Sequence, residues 1–360
     1  MPHKHGGDLV TYAARYGGHP PLDFSANINP LGIPQPVKNA VIAAVDSCDV
    51  YPDPYCRELR AAISEAEGVP AEQIFCSAGA ADAIFRLAVA IKPQRALVTA
   101  PTFSEYEASL DAVGCETTHF ALHESDGFAV TERILDAIDG VDAVYLCTPN
   151  NPTGMLTPLP LVLKIAEKCR DTGAVFVLDE CFLDFTDEFE RSTMKPFLQD
   201  FPNMVILRSF TKMFAIPGLR LGYCICSDTR LITRLYDSGA PWAVSGIAQA
   251  CGVAALREQG FAEQTRELIK TQRIFLTTAL RRLGFTVFDS AANFLLIKNH
   301  LPLDLCDTLA EHGFLVRSCA NYVGLGREFY RTAIKSDAEN KQLITALQSI
   351  TSQHTKGDLR

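Results

Sequence analysis

The chain has 360 residues, with 33 Lys and Arg against 42 Asp and Glu, a formal net charge of −9, and 48% hydrophobic residues. That is a globular composition, and its acidic balance argues against a general nucleic-acid binder, whose affinity rests on phosphate neutralisation. No apolar stretch approaches the ~20 residues that span a bilayer, and residues 1–8 lack the apolar core of a secretory signal, so a cytoplasmic protein without membrane segments is expected.

The first ~35 residues, punctuated by Pro20-Pro21, Asn29-Pro30, Pro34 and Pro36, cannot form one regular element. A helical pattern then runs from Arg57 to Glu67 and stops at Gly68. After it, short β-rich runs alternate with amphipathic stretches. Ile74–Ser77 precedes a predicted helix near Ala80–Ile91, and Ala96–Thr99 one near Ser104–Val113. Val141–Cys147 precedes one from about Pro158 to Asp171, and Val175–Asp179 follows. Continuous apolar strands such as Val144–Cys147 and Val175–Leu178 are expected in a parallel sheet covered on both faces. The fold class is therefore α/β, with a large doubly wound, mostly parallel sheet.

From Asp228 two long helical patterns run to Arg282. Short strands follow at Thr286–Phe288, Phe294–Ile297, Leu315–Arg317 and Phe329–Ala333, with helices near Leu303–Glu311 and over Asp337–Ile350. This reads as a smaller α+β unit completed by the amino-terminal arm. The expected division is an arm at 1–35, a large domain at 36–240 and a small domain at 241–360, with a frayed polar tail from Thr351.

In an open parallel sheet the ligand sits beyond the carboxyl ends of the strands. Four runs there carry chemistry: Ser77-Ala78-Gly79-Ala80, Thr148 to Gly154, Asp179-Glu180, and Ser209-Phe210-Thr211-Lys212. A lysine at the mouth of a sheet, eight residues before Arg220, can act as an amine nucleophile toward a cofactor carbonyl such as that of pyridoxal phosphate. Asp179 ends a run of apolar residues, where a carboxylate is costly unless it meets a cation. The pyridinium nitrogen of that cofactor is one. Asn151 can donate to its phenolic oxygen. Gly79 and Ala80 open a helix after a strand, a ready anion site, to which Ser209, Thr211 and Arg220 could add hydroxyls and a cation.

Other chemistries fit less well. Twelve cysteines include no CxxC, so no zinc site is expected and they read as reduced, mostly buried thiols. His119 and His123 lack the glutamate of HExxH and fall in β-like sequence, which reads as surface. Ser209 to Lys212 satisfies SxxK, but the SDN and KTG companions of that hydrolase chemistry are absent.

Taken together, Asn151-Pro152-Thr153-Gly154, Asp179-Glu180, Ser209 to Lys212 and Pro217 to Gly222, in this order and spacing, resemble the fold-type-I pyridoxal-phosphate enzymes of the aspartate aminotransferase superfamily. The chain looks most like the histidinol-phosphate aminotransferase branch. Within it, His5-Gly6-Gly7, the run Asp23 to Gly32, and Arg317 to Tyr322 are similar to the threonine-phosphate decarboxylases of cobalamin biosynthesis. The resemblance implies Lys212 as the Schiff-base lysine, Asp179 on the ring nitrogen, Asn151 on the ring oxygen and Tyr106 as the stacking ring. It also implies Ser209 and Arg220 on the cofactor phosphate, and Tyr51 reaching the cofactor phosphate of a neighbouring subunit in a homodimer with shared sites. Arg317 and Arg331 would hold the substrate's anions, with His5, Gly6 and Asn27 nearby.

Two departures stand out. Phe182 replaces the tyrosine that many relatives carry three residues after the ring aspartate, and Ser77 to Asp82 is poorer in polar side chains than usual. The implied reaction is decarboxylation of L-threonine O-3-phosphate to (R)-1-aminopropan-2-ol O-phosphate, with O-phospho-L-serine as a second substrate candidate. The alternative is a histidinol-phosphate aminotransferase, which would share every cofactor residue.

Overall fold

The computed structural model describes residues 5–17 and 20–357. The arm carries a helix at Leu9–Tyr16 and a two-residue strand, β1 (Leu22–Asp23). Seven strands then form the large sheet: β2 (Ile74–Ser77), β3 (Arg95–Ala100), β4 (Glu116–Ala121), β5 (Ala143–Cys147), β6 (Val175–Asp179), β7 (Met204–Ser209) and β8 (Gly222–Ile225). Their spatial order is β2-β8-β7-β6-β5-β3-β4, and only β8 runs antiparallel to its neighbours.

The apolar runs of the central strands are explained by where alternate residues go. Val144 and Leu146 of β5 enter one core, while Ala143, Tyr145 and Cys147 enter the other. Helix Leu159–Thr172 covers the first face, and helix Ala80–Ile91 the second. A strand with two buried faces needs no polar alternation. All but exposed Cys48 and half-buried Cys306 of the cysteines are buried, as expected of small apolar residues.

Beyond the large sheet, β9 (Thr286–Val287), β10 (Phe294–Lys298), β11 (Phe314–Leu315), β12 (Arg317–Ser318) and β13 (Phe329–Ala333) follow. Four of them form an antiparallel sheet in the order β12-β13-β10-β9. The expected single strand over 315–317 is broken at Val316, because Leu22–Asp23 of the arm pairs in parallel with Phe314–Leu315. The arm thus pairs with β11 in a two-stranded sheet of its own.

Several expectations need correction. The two helical patterns after Asp228 are three helices, Thr229–Asp237, Gly246–Leu256 and Phe261–Arg282, with Asp228 and Ser245 capping the first two. Ala248, Cys251 and Ala255 of the second pack in the core cluster of the large sheet. The tail does not fray at Thr351, since helix Asp337–Gly357 continues through it. His119 lies in β4 with Glu107 at 3.4 Å, and His123 falls beyond the strand. Among the described residues no helix is long and apolar enough to cross a membrane.

Candidate active site

A cavity of about 270 Å³ opens where β5, β6 and β7 end, between the large sheet and the small one. Lys212, Asp179, Asn151, Tyr106, Gly79, Ala80, Thr211 and Arg220 line it from the large sheet's side. His5, Gly6 and Asn27 line it from the arm, and Arg317 and Arg331 from the small sheet. Ser209 stands behind the wall, where it meets the Thr211 hydroxyl at 2.8 Å and accepts from Lys212 Nζ at 3.2 Å. Tyr51 is the residue not brought here. It is 81% exposed and lies 4.8 Å, ring to ring, from Trp242.

Lys212 follows β7 in the short helix Phe210–Met213, its Nζ 5.5 Å above the Phe182 ring. Lys212 thus meets a ring face at Phe182 but no hydroxyl. Its backbone is held by the arm: Asn29 N–H donates to the Lys212 carbonyl at 3.1 Å, and Asn29 Nδ2 to the Met213 carbonyl at 2.7 Å.

Asp179 is the last residue of β6 and only 5% exposed. Its Oδ1 accepts from Cys181 N–H at 2.8 Å and its Oδ2 from the Tyr106 hydroxyl at 2.6 Å. Burial, with the Asp179 charge adding to it, pushes the Tyr106, Cys147 and Cys181 pKa values far up, so all three stay neutral around the carboxylate. Each carboxylate oxygen keeps a further lone-pair direction for another donor. Tyr106 is therefore in the wall as expected, but its hydroxyl is committed to Asp179, which a purely stacking role would not require.

At the other end, Gly79 has φ +85°, and helix Ala80–Ile91 opens with no side-chain cap. Asp82, the acid of the first turn, turns back to Ala78 N–H at 3.0 Å and to Arg86 at 3.0 Å. Asp82 N–H donates to the Gly79 carbonyl at 3.1 Å, so the Ala80 and Ala81 amides are those left for an anion. A Cβ on Gly79 would lie 2.8 Å from Arg220 Nη2, so only glycine lets the guanidinium stand against this turn.

The substrate side is built on a cross-strand pair. Arg317 of β12 and Arg331 of β13 are directly opposite in register, and both are buried. Like charges so placed repel. Burial lowers the Arg317 pKa, and the charge of Arg331 adds to this, yet a guanidinium stays cationic at neutral pH. Arg331 Nη1 donates to Asn151 Oδ1 at 2.5 Å and Nη2 to the Ser25 carbonyl at 2.8 Å, while its buried Nε has no hydrogen-bond partner. Arg317 donates to Asn321 Oδ1 at 2.8 Å and lies over the Tyr322 ring.

A profile of the aminotransferase class I and II family matches residues 19–347. The chain belongs to that family. It is 39% identical over 351 residues to the threonine-phosphate decarboxylase of Salmonella typhimurium, covering 96% of each chain. The crystal structure of L-threonine-O-3-phosphate decarboxylase from Porphyromonas gingivalis superposes with a TM-score of 0.81 at 25% identity, over 92% of this chain and 99% of that one. The histidinol-phosphate aminotransferase of Sinorhizobium meliloti, solved in complex with pyridoxal-5'-phosphate, shares the fold with a TM-score of 0.86 at 20% identity, over 98% and 96% of the two chains.

Pyridoxal phosphate, the cofactor of this family, fits the residues present. The glycine turn, free helix amides and Arg220 suit its phosphate, buried Asp179 suits its ring nitrogen, and Lys212 lies in the same cavity. Sequence reasoning missed several wall residues. Phe103 packs edge-on to Tyr106 at 5.6 Å and carried no signal of its own. Ser25 and Tyr322 lay inside quoted runs, but nothing in their spacing set them apart.

Proposed function

We propose that the chain decarboxylates L-threonine O-3-phosphate to (R)-1-aminopropan-2-ol O-phosphate, the amino alcohol unit of the cobamide nucleotide loop, using pyridoxal phosphate. The observation that carries this reading is the in-register pair Arg317 and Arg331, both buried and facing the Lys212 cavity. A single α-carboxylate needs one guanidinium fork. Two opposed guanidinium groups suit a substrate with two anions, a carboxylate and a phosphate ester.

When bound, the cofactor supplies an electron sink conjugated to the substrate's Cα. The protein must then decide which bond at Cα stands perpendicular to that conjugated system, because only such a bond can release its electrons into it. Gripping the phosphate and the carboxylate at two fixed points sets that rotation, so remote binding energy orients the bond to the carboxylate. Asp179, the negative charge among neutral Tyr106, Cys147 and Cys181, would hold the ring nitrogen and favour its protonated form. Lys212 Nζ, steadied by Ser209 Oγ and Phe182, returns a proton to Cα once carbon dioxide has left. Phe103, Phe182 and Tyr322 make the apolar part of the wall and exclude water.

We further propose a cytoplasmic homodimer with shared sites. Tyr51, Val50, Tyr55 and Trp242 form exposed apolar surface near one another, more than a lone protomer is expected to leave in water. Tyr51 is 81% exposed and lies outside the Lys212 cavity of its own chain, which suits a role at a partner's phosphate site.

The test mixes holoenzyme with O-phospho-L-threonine and no keto acid. Stoichiometric carbon dioxide with a phosphorylated amine supports the reading, and Lys212→Ala should abolish it, by about 10³-fold or more. Glutamate formed only with histidinol phosphate and 2-oxoglutarate overturns it. O-phospho-L-serine, which would give ethanolamine phosphate, lacks one methyl group. That difference is worth about 1–3 kcal/mol in a shaped pocket, so it should be the slower substrate.

A further inference from the structure

We propose that Ser25 is a positioning residue that couples the amino-terminal arm to the anion grip of Arg331; the inference rests on the decarboxylase reading above. Ser25 is 4% exposed and follows β1 by two residues. Its two polar ends face different partners. The hydroxyl donates to Asp23 Oδ1 at 2.6 Å and accepts from Gly7 N–H at 2.8 Å. The carbonyl accepts from Arg331 Nη2 at 2.8 Å. One residue thus holds the arm with its side chain and the substrate arginine with its main chain.

Asp23 makes this a fixed geometry. Its Oδ1 also takes Ser25 N–H at 2.8 Å and Ala26 N–H at 3.2 Å, so the loop is wound around one carboxylate oxygen. A hydroxyl has a single proton; with that proton spent on Asp23, its lone pairs are left for Gly7. The bond to a carboxylate polarises the oxygen and strengthens the second hydrogen bond.

Gly6 adds steric contact to the link. A Cβ there would lie 2.1 Å from the Ser25 carbonyl oxygen, the oxygen that accepts from Arg331. Any shift of the arm therefore reaches Arg331 through one atom. On the far side of the cavity, His5 Nε2 meets Glu105 Oε1 at 2.9 Å, and its ring lies 6.0 Å from that of Phe103. The start of the arm thus meets Glu105 on the large unit through His5 and Ser25 beside the small sheet through Gly7. Arg331 has Asn151 as its other acceptor and a buried Nε with none, so the Ser25 carbonyl is one of two anchors that aim it.

The coupling is testable as a double-mutant cycle on the holoenzyme, with KM and kcat for O-phospho-L-threonine read from carbon dioxide release. Ser25→Ala should raise KM about tenfold with kcat within about twofold, as expected when a ground-state grip is loosened. His5→Ala should raise KM alone, yet change it less than about twofold on the Ser25→Ala background. Ser25→Thr, which keeps the hydroxyl, should stay close to wild type. Gly6→Ala leaves the serine intact and should raise KM as much as Ser25→Ala, and it carries the test should that variant fail to fold. Multiplying KM effects in the cycle, an unchanged KM, or a loss confined to kcat overturns the proposal. Should wild-type holoenzyme release no carbon dioxide, the decarboxylase reading has failed instead, and the same cycle is read on the dissociation constant for inorganic phosphate.

Discussion

Two groups of buried arginine lie on either side of the same strand ends, and they are built on opposite electrostatic plans. Arg208, just before Ser209, is 2% exposed and surrounded by acids, with Glu180 at 2.9 Å and Asp184 at 3.4 Å. Glu180, just after Asp179, is fully buried and also takes Met194 N–H at 2.9 Å and the Thr193 hydroxyl at 2.8 Å. The pair therefore ties β6 to β7 at the rung where the site residues emerge. Although burial works against its charge, Glu180, Glu67 and Asp184 together raise the Arg208 pKa. Arg317 and Arg331 face each other instead, and the described partners of Arg331 are neutral oxygens. Carboxylate partners at both Nη atoms mark Arg208 as a charge that belongs to the fold, although its Nε, like that of Arg331, has no hydrogen-bond partner. The opposed guanidinium groups line the Lys212 cavity, where the proposed substrate's anions would meet them.

That contrast can be broken by matched substitutions. Arg208→Met leaves Glu180 buried without its cation, and should cost about 3–5 kcal/mol in denaturant unfolding of the holoenzyme. Arg331→Met should reduce kcat/KM roughly 10²–10³-fold, the value of charge-assisted hydrogen bonds to substrate. It should cost about 1 kcal/mol of stability or less, because relief of Arg317 offsets the two acceptors left without a donor. Equal destabilisation by the two variants would make the small-sheet pair structural.

Ligand linkage gives a smaller, sharper version. Inorganic phosphate should raise the Tm of wild-type holoenzyme with the logarithm of its concentration once that exceeds Kd, and should do so much less in Arg331→Met. An identical shift in both would place the anion elsewhere.

The least effect concerns Asp184, whose carboxyl burial raises from 3.8 to about 6 against the pull of Arg208. An acid with a raised native pKa binds more protons folded than unfolded, so its contribution to stability falls as pH rises from about 4 to about 6 and is level above that. Asp184→Asn should therefore gain on wild type across that window. A difference that does not change with pH there contradicts the assignment.

The strands were legible because burial on both faces leaves an unbroken apolar run, and β6 carries the bounds its sequence implied. β8 was not read as a strand, since Gly222–Ile225 directly follows the Arg220 motif and offers only four residues. The Lys212, Asp179 and Asn151 constellation was legible for a related reason: each residue ends or follows a buried strand, so its position along the chain already says where it emerges. Ser25 and Phe103 had no such marker.

Local sequence determined the α/β class, the bounds of helices such as Arg57–Glu67 and Ala80–Ile91, and which residues emerge at the strand ends, because those depend on spacings within one element and the turn after it. Only tertiary structure decided that Arg317 stands opposite Arg331, that Tyr106 gives its hydroxyl to Asp179, and that the arm reaches Arg331 through Ser25. Those are contacts between segments far apart in the chain. Register between strands and the path of a loop set them, and neither leaves a periodic trace for a sequence to show.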